Sequence, residues 1–406
     1  MAGNKTSRRC WAYQTAVGTE AIDDATDTTY FFGDKDTSDW KVPRILTDVE
    51  AYYSYSSREP TLTALDPKYQ TLMIPYYPTT AQDGAWMLKQ VTEDGISANV
   101  HKNEVLDTGL PLPLTIRFEL NDGSVDRLFQ AVDAYCIGRT TTLTLNSPAL
   151  VECEWAFGRL EDKRGQWEFD DTAADITGDV ITLTTNGGTL NQYANWGIFI
   201  NGGTGEDEEL VVQSNTAATP TLITTTTTPT AVTGDTLSVW DKPRPKLTTS
   251  PVMPGYTASN NYNGTPNVYW DTADQNVNLT ECWQVSFQNR QNYQQVLDSD
   301  SKYCTTYLYK HEPITLTLDM VCERHKQVYD YIDRKANTVS ATIYKPNSTY
   351  YRKYIFTGSE IVDWVETGHA NKGHYNAKVL MKAASMIEHF TLEAETNWST
   401  HYKHVA

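Results

Sequence analysis

Pro113-Leu-Thr-Ile-Arg-Phe-Glu-Leu and Pro313-Ile-Thr-Leu-Thr-Leu-Asp-Met share one pattern at a distance of 200 residues. In both stretches apolar and polar residues alternate, which is typical of a strand with one buried face. The proline, the threonine two positions later and the acid before the last residue recur at the same positions. The two stretches therefore predict equivalent strands, and they indicate an internal repeat.

The similarity extends beyond these strands. After a turn, Ser124 is a plausible N-cap of a short amphipathic helix, whose apolar positions are Val125, Leu128, Phe129, Val132 and Cys136. The second copy carries Val328, Tyr329, Ile332 and Asp333 where the first has Leu128, Phe129, Val132 and Asp133. In the hairpin that follows, Thr144, Pro148, Phe157 and Gly158 correspond to Thr342, Pro346, Phe356 and Gly358. A tandem duplication explains these matches; the alternative is that two unrelated strand-helix-strand stretches look alike.

Length and composition predict a mainly β protein with more than one domain. The chain has 406 residues, which exceeds the roughly 250–300 residues that one compact core supports. Its many Tyr, Trp and Thr residues favour strands. Neither the roughly 20 consecutive apolar residues of a membrane span nor the apolar stretch of a signal peptide occurs. We therefore expect neither a membrane span nor a secretion signal.

A different kind of sequence separates the two copies. Residues 170–242 contain ten acidic residues and a single base, Lys242. Five short strands are predicted there, at Gly178-Asp-Val-Ile-Thr-Leu-Thr, Trp196-Gly-Ile-Phe-Ile, Glu208-Glu-Leu-Val-Val, Thr221-Leu-Ile-Thr and Gly234-Asp-Thr-Leu-Ser-Val-Trp. The stiff Pro243-Arg-Pro-Lys that follows marks a boundary. The predicted domains are therefore residues 1–169, an acidic β insert at 170–242, and residues 243–406.

The motifs of common enzyme sites are missing from the sequence. It contains no G-x-S-x-G, no phosphate-binding Walker loop, no dinucleotide fingerprint and no H-E-x-x-H. A glycosidase needs two acids that converge across a cleft, whereas Glu152 and Glu154 share one face of a single predicted strand. We therefore expect no catalysis, no cofactor and no metal site.

Charge and cysteine usage restrict the partners further. A net charge of -18 without a Lys or Arg cluster argues against wrapping nucleic acid, although DNA could pass nearby without being bound. The six cysteines lack the spacing of a zinc site, and we expect buried free thiols; a disulfide between distant pairs is the alternative. They are Cys10, Cys136, Cys153, Cys282, Cys304 and Cys322.

The repeated unit, Pro113 to Phe157 and again Pro313 to Phe356, resembles the signature of major tail tube proteins of long non-contractile tailed viruses. The insert resembles the small β-barrel domains that decorate virion proteins. The resemblance implies two tandem β-sandwich or barrel domains, each with a flanking helix, which assemble edge to edge around a channel for DNA. Because members with a duplicated fold form trimeric rings of pseudo-sixfold symmetry, three chains per ring are expected.

The resemblance also implies a location and partners. The chain would be a structural subunit of the virion tail, assembled in the host cytoplasm into stacked rings. Its partners would be further copies, the tape measure, terminator and baseplate proteins, and genomic DNA passing through non-specifically. The insert would project outward, because the channel has no room for it.

Candidate lumen-facing residues are the polar positions of the two repeated strands: Thr115, Arg117, Glu119, Thr315, Thr317 and Asp319. The alternative is that this face packs under the helix. A second function remains open, that of a carbohydrate-binding protein or adhesin that uses the insert and adjacent tyrosines, with Tyr193 and Trp196 as test positions. The paired tyrosines are Tyr52, Tyr53, Tyr55, Tyr76, Tyr77, Tyr350, Tyr351 and Tyr354.

Overall fold

The protein is mainly β. The computed structural model describes residues 6–22, 26–27, 29–32, 45–53, 60–69, 71–78, 88–91, 100–105, 113–121, 126–162, 164–241, 247, 262–272, 275–279, 281–297, 304–322, 336–346, 350–368 and 375–391. The strands in these residues are β1 (Thr6–Tyr13), β2 (Tyr30–Phe31), β3 (Ile45–Tyr53), β4 (Pro60–Tyr69), β5 (Leu72–Tyr76), β6 (Leu88–Val91), β7 (Val100–Val105), β8 (Leu114–Asn121), β9 (Asp126–Thr144), β10 (Leu150–Ala156), β11 (Arg159–Asp162), β12 (Gln166–Thr177), β13 (Val180–Leu183), β14 (Gly197–Gly202), β15 (Glu209–Asn215), β16 (Leu222–Thr225), β17 (Thr236–Asp241), β18 (Asn267–Thr272), β19 (Gln275–Asn278), β20 (Cys282–Leu297), β21 (Cys304–His311), β22 (Ile314–Cys322), β23 (Asn337–Tyr344), β24 (Tyr351–Gly368), β25 (Tyr375–Ala383) and β26 (Ser385–Thr391). None of the described residues forms an α-helix, and accordingly no helix among them could cross a membrane.

Seven antiparallel strands form the central sheet, in the order β5, β10, β9, β20, β22, β25, β24. The pairing of β9 with β20 joins the first part of the chain to the last, and it places Thr142 opposite Ser286. This contact crosses more than 140 residues of sequence. The central sheet is therefore one continuous surface made by both halves of the chain.

Two further sheets pack on one side of the central sheet. The N-terminal sheet has the order β2, β1, β8, β9, β11, and its core with the central sheet contains Trp11, Phe118 and Trp155. The C-terminal sheet has the order β19, β18, β23, β24, β26, β7, β6. Its core with the central sheet contains Phe287 and Phe356. Both cores are thus of the sheet-on-sheet kind.

The repeated strands are confirmed, but the first predicted helix is wrong. Leu114 to Leu120 lies in β8 and Ile314 to Met320 in β22, whereas residues 126–144 are one long strand, β9. Leu128, Val132 and Cys136 follow one another every four residues, a spacing that an unbroken strand would also place on one face. Strands β8 and β11 pair with this segment on both sides and supply its backbone hydrogen bonds. The second predicted helix, around residues 328–333, lies outside the described residues.

The long strand β9 belongs to two sheets, and it bends between them at a bulge. Asp133 has a φ of 55°, and the register between β8 and β9 shifts there. The Asp133 carboxylate accepts hydrogen bonds of 2.7 Å from the Gln14 side chain and from the Gly18 backbone N–H. These bonds satisfy a buried acid and hold the bulge.

Strands β12 to β17 close into a six-stranded barrel, in the order β12, β13, β16, β15, β14, β17. The five strands predicted in the insert are confirmed as β13 to β17, and β12 is the one that the sequence analysis missed. A separate core fills the barrel, with Ile181, Ile198 and Leu237 fully buried. The predicted domain limits at residues 170 and 242 stay a prediction; the barrel strands span Gln166 to Asp241.

Candidate functional site: the open face of the central sheet

The side of the central sheet that faces away from the two cores is polar, and we name it the open face. Its residues lie directly opposite one another in rows that cross the strands. One row contains Glu152, Thr140, Gln288, Thr315, Lys382 and Glu360. The next contains Leu150, Thr142, Ser286, Thr317, Leu380 and Asp363. The third contains Thr144, Gln284, Asp319, Lys378 and Val365.

Strand alternation explains why this face is polar. In Thr140-Thr-Thr-Leu-Thr, Thr140, Thr142 and Thr144 are half-buried on the open face, whereas Thr141 and Leu143 are fully buried beneath it. Strand β22 alternates in the same way, with Leu316 and Leu318 buried. Hydroxyl and amide side chains therefore dominate the middle of the open face. The hydroxyls of Thr142 and Ser286 lie 3.4 Å apart across the β9–β20 junction.

An ion pair bridges the β9–β20 junction over a glycine. Arg290 of β20 lies 3.2 Å from the Glu154 carboxylate of β10, and β9 runs between them. Gly138 is the residue of β9 at this point, and a Cβ there would lie 3.3 Å from a Glu154 carboxylate oxygen and 3.8 Å from Cγ of Arg290. The missing side chain thus leaves the space through which the two charged groups meet.

The other two cations of the open face also have acids beside them. Lys378 lies directly opposite Asp319 on β22, and Lys382 lies directly opposite Glu360 on β24. Opposite charges in such cross-strand positions are favourable, but of the three bases only Arg290 makes an ion pair in the described structure. The rows also hold two further acids, Glu152 and Asp363. The described part of the open face therefore carries five acids and three bases.

A buried charged cluster lies beneath this face, where the two halves of the chain meet. The Glu388 carboxylate on β26 lies 3.0 Å from Arg139 on β9 and 3.3 Å from Arg352 on β24. All three side chains are at most 1% exposed. Burial alone would lower the pKa of Arg139, but Glu388 raises that pKa above its ordinary value. Both arginines therefore stay charged and share one carboxylate.

The lumen candidates of the first repeated strand are not on the open face, and we correct that prediction. Thr115 and Arg117 are fully buried, and Glu119 is 6% exposed. Residues 14–22, which we name the strap, cover them: Ala21 N–H donates to Thr115, and Arg117 donates to the carbonyl of Ile22. The physical reason is that the strap and Leu247, whose N–H donates to Glu119, satisfy these polar groups inside the protein.

The candidates of the second repeated strand have a different environment. Thr315, Thr317 and Asp319 are half-buried on the open face, in the middle of the polar rows. Their orientation toward a lumen stays a prediction. Sequence reasoning missed the equal contribution of Thr140, Thr142 and β25, although the alternation in Thr140-Thr-Thr-Leu-Thr was a usable signal.

No protein-family model matches the chain, and no curated protein matches it.

The four cysteines whose side chains the structure describes are buried. Cys10, Cys136, Cys153 and Cys282 are buried free thiols, which confirms the prediction for these four. Burial raises the pKa of the Cys282 thiol to about 12, so it stays protonated and unreactive at neutral pH. Within the described residues no three His, Cys, Asp or Glu side chains are grouped closely enough to hold a metal ion.

The aromatic residues of the insert are placed differently from the expectation. Tyr193 is 3% exposed and packs in the barrel core against Trp196, which is itself half-buried. Trp167 is instead 42% exposed, with its indole N–H donating to Asp170. Of the paired tyrosines, Tyr76 and Tyr354 are fully buried, while their neighbours along the chain are half-buried where described.

Proposed function

We propose that this chain is a structural tail tube subunit whose open face lines a channel for DNA. The observation that carries the proposal is the central sheet, which continues across the β9–β20 junction and presents one polar surface built by both halves of the chain. A closed barrel of such sheets would have a polar interior and no exposed sheet edge. The chain would act without catalysis, in the tail of a virion.

The repeated sequence pattern supports a tandem duplication. Its two strands, β8 and β22, each pair antiparallel with a strand from earlier in the chain, β1 and β20 respectively. They lie in different sheets, because β8 belongs to the N-terminal sheet and β22 to the central sheet. The hairpins also differ, because Phe356 pairs inside β24 whereas Phe157 follows the end of β10. The support therefore comes from the sequence pattern.

A ring would form by adding subunits at the ends of the central sheet. In the described residues β5 pairs only with β10, and residues 360–368 of β24 pair only with β25. Val362 and Val365 on that edge are 46% and 50% exposed. With the duplication we propose three chains per ring, stacked rings, and contacts to tape measure, terminator and baseplate proteins. The acidic barrel would project from the outside of the ring.

Electron microscopy and mass photometry of the purified chain test this proposal. We expect trimeric rings or tubes at high concentration, and we expect Val362→Lys with Val365→Lys to leave monomers, because charges on an edge strand block sheet extension. Val211→Lys on the barrel, where the valine is 42% exposed, is the matched control and should still assemble. Monomers alone at every concentration, and no rings in virions, would count against a tail tube.

A carbohydrate-binding protein is the second candidate function, and one observation favours it. Trp167 is exposed on the barrel beside the Asp170 carboxylate, a pairing that suits stacking on a sugar with a hydrogen bond at its rim. A glycan array tests it: binding that Trp167→Ala abolishes would favour this candidate. Binding to no glycan would remove it.

A further inference from the structure

We propose that the Arg139 guanidinium binds a small inorganic anion, of the size of chloride, where the two halves of the chain meet. The ion would lie inside the protein beside β9 and β20, on the other side of the central sheet from the open face. This site is independent of the proposed tail tube function, because it concerns the interior of a single chain.

Arg139 uses only part of its guanidinium group. Its Nη1 donates to the Glu388 carboxylate at 3.0 Å, whereas Nε and Nη2 make no hydrogen bond to any residue that the structure describes. These two nitrogens carry parallel N–H groups along one edge of the planar group, an edge that suits bidentate binding of an anion. Arg139 is only 1% exposed, so bulk solvent does not supply the missing acceptor. This edge is therefore available to a buried ligand.

Further donors lie next to Arg139. Asn289 of β20 lies directly opposite Arg139 of β9, and it is also 1% exposed. Its Nδ2 makes no hydrogen bond within the described part of the chain, and neither does the hydroxyl of the fully buried Thr141 on the same face of β9. Residues in directly opposite positions have Cβ atoms about 4.5–5.5 Å apart, so one ion can contact both Arg139 and Asn289. Each of these groups can donate a hydrogen bond, which favours an acceptor as the ligand.

The neighbouring titratable groups do not supply a second negative charge. The Glu388 carboxylate is already shared between Arg139 and Arg352. Burial raises the pKa of the Cys136 thiol well above its ordinary value, although Arg139 opposes this shift. Burial also raises the pKa of Tyr354, whose ring centre lies 5.9 Å from the Arg139 guanidinium. Both side chains therefore stay neutral at pH 7, and buried charged donors without an acceptor are costly.

Burial restricts the ligand to a small ion. The donors of Arg139 and Asn289 are closed off from the surface, so the phosphates of DNA and other large anions cannot reach them. A buried water molecule is the alternative occupant, because it can accept hydrogen bonds from the same donors without adding charge. The two occupants differ in a measurable way, since only a bound ion makes the unfolding equilibrium depend on halide concentration.

Urea denaturation of the full chain at constant ionic strength tests the proposal. Sodium chloride replaces sodium gluconate in steps from about 10 mM to about 1 M, and the unfolding transition of the sandwich is recorded at each step. A ligand that binds only the folded state lowers the unfolding equilibrium constant in proportion to its concentration once the site is filled. We therefore expect a slope that approaches about -1 for the logarithm of this constant against the logarithm of chloride concentration.

Arg139→Lys is the decisive variant, because it keeps a cation beside Glu388 but removes the bidentate edge. It should reduce the slope to about zero. Arg290→Lys is the matched control, since this arginine belongs to the open face and its side chain is 44% exposed. It should keep the slope of the parent chain. A parent chain without a slope, or a slope that persists in Arg139→Lys, would overturn the proposal.

Bromide identifies the occupant directly, and it keeps the test available if Arg139→Lys does not fold. In crystals of the parent chain grown with sodium bromide, we expect an anomalous peak within hydrogen-bonding distance of Nε and Nη2 of Arg139. A water molecule at that place without an anomalous signal would overturn the proposal, as would apolar packing against this edge. Either result would leave the tail tube proposal unaffected.

Discussion

At the scale of single residues, Glu388 holds a buried charged cluster together. Its side chain is 1% exposed and forms ion pairs with two buried arginines, Arg139 and Arg352. Removing one member of a buried ionic cluster leaves uncompensated charge, which typically costs about 3–5 kcal/mol. Glu388→Gln should therefore lower the free energy of unfolding by about that amount, as measured by urea denaturation.

The exposed ion pair of the open face is the natural control for Glu388. Arg290 is 44% exposed at its side chain, and exposed pairs contribute about 0–1 kcal/mol. Glu154→Gln should therefore change the free energy of unfolding by less than about 1 kcal/mol. Similar losses for the two variants would contradict the assignment of Glu388 to a desolvated cluster.

Two aspartates of the barrel make its stability depend on pH in the acidic range. Burial raises the pKa of Asp171, but N–H donors from Asn186, Thr172 and Thr185 outweigh it, so that pKa lies below its ordinary value. Backbone N–H groups of Val232 and Gly205 likewise lower the pKa of Asp235. A lowered folded pKa means stability that is present above the unfolded value of about 3.9 and lost as pH falls through the folded value.

The corresponding measurement is the melting temperature of the barrel between pH 7 and pH 2. It should fall at the acid end, and Asp171→Asn should lower it at pH 7 and flatten its pH dependence, because an amide cannot accept all of these hydrogen bonds. Asp179→Asn, at an exposed turn, should leave the pH profile unchanged. A profile for Asp171→Asn that follows the parent chain would refute this role.

At the scale of elements, the strap shows how a polar strand face can become part of the interior. Gln14 is 1% exposed; its side chain donates to the Asp133 carboxylate at 2.7 Å and accepts from the Asp133 N–H at 2.8 Å. Leaving buried polar groups without partners costs about 1–3 kcal/mol each. Gln14→Ala should lower stability by an amount of that order and speed proteolysis near the strap.

Val17 provides the control for this prediction, since it lies in the same strap and is 53% exposed. Val17→Ala should change neither the unfolding free energy nor the cleavage rate measurably. Equal protection of the Gln14→Ala and parent chains in a timed digest with subtilisin, a protease of broad specificity, would speak against a strap held by Asp133.

At the scale of the whole molecule, the barrel and the sandwich have separate cores and separate strand pairings. The barrel strands pair only with one another, whereas the central sheet is shared by both sandwich cores. Calorimetry should therefore show two transitions. Phe287→Ala should shift only the transition of the sandwich. It should lower the free energy of unfolding of the sandwich by about 3–5 kcal/mol, because Phe287 packs against Tyr354 and Phe356 in that core.

Ile198→Ala is the reciprocal variant, since Ile198 is fully buried in the barrel core. It should shift only the transition of the barrel, by lowering the free energy of unfolding of the barrel by about 2–5 kcal/mol. A single transition that both substitutions shift together would mean that the barrel and the sandwich unfold as one unit.

Local sequence patterns were sufficient to predict many of the strands. Alternation with period two identified β8 and β22, and regularly spaced turn residues identified β13 to β17, because both signals depend only on neighbouring residues. The segment 126–136 was misread because Leu128, Val132 and Cys136 satisfy a helix and a strand equally well. The segment is a strand rather than a helix because β8 and β11 pair with its two edges.

The sequence by itself determined a mainly β chain with a repeated strand and an acidic β insert, since composition and alternation are local properties. Only the tertiary structure decided which polar face is open. Thr115 and Thr315 occupy the same position of the repeat, yet the strap buries the first while the second faces outward. That difference arises because burial and charge pairing depend on distant segments: Arg290 meets Glu154 only after β9 and β20 have paired.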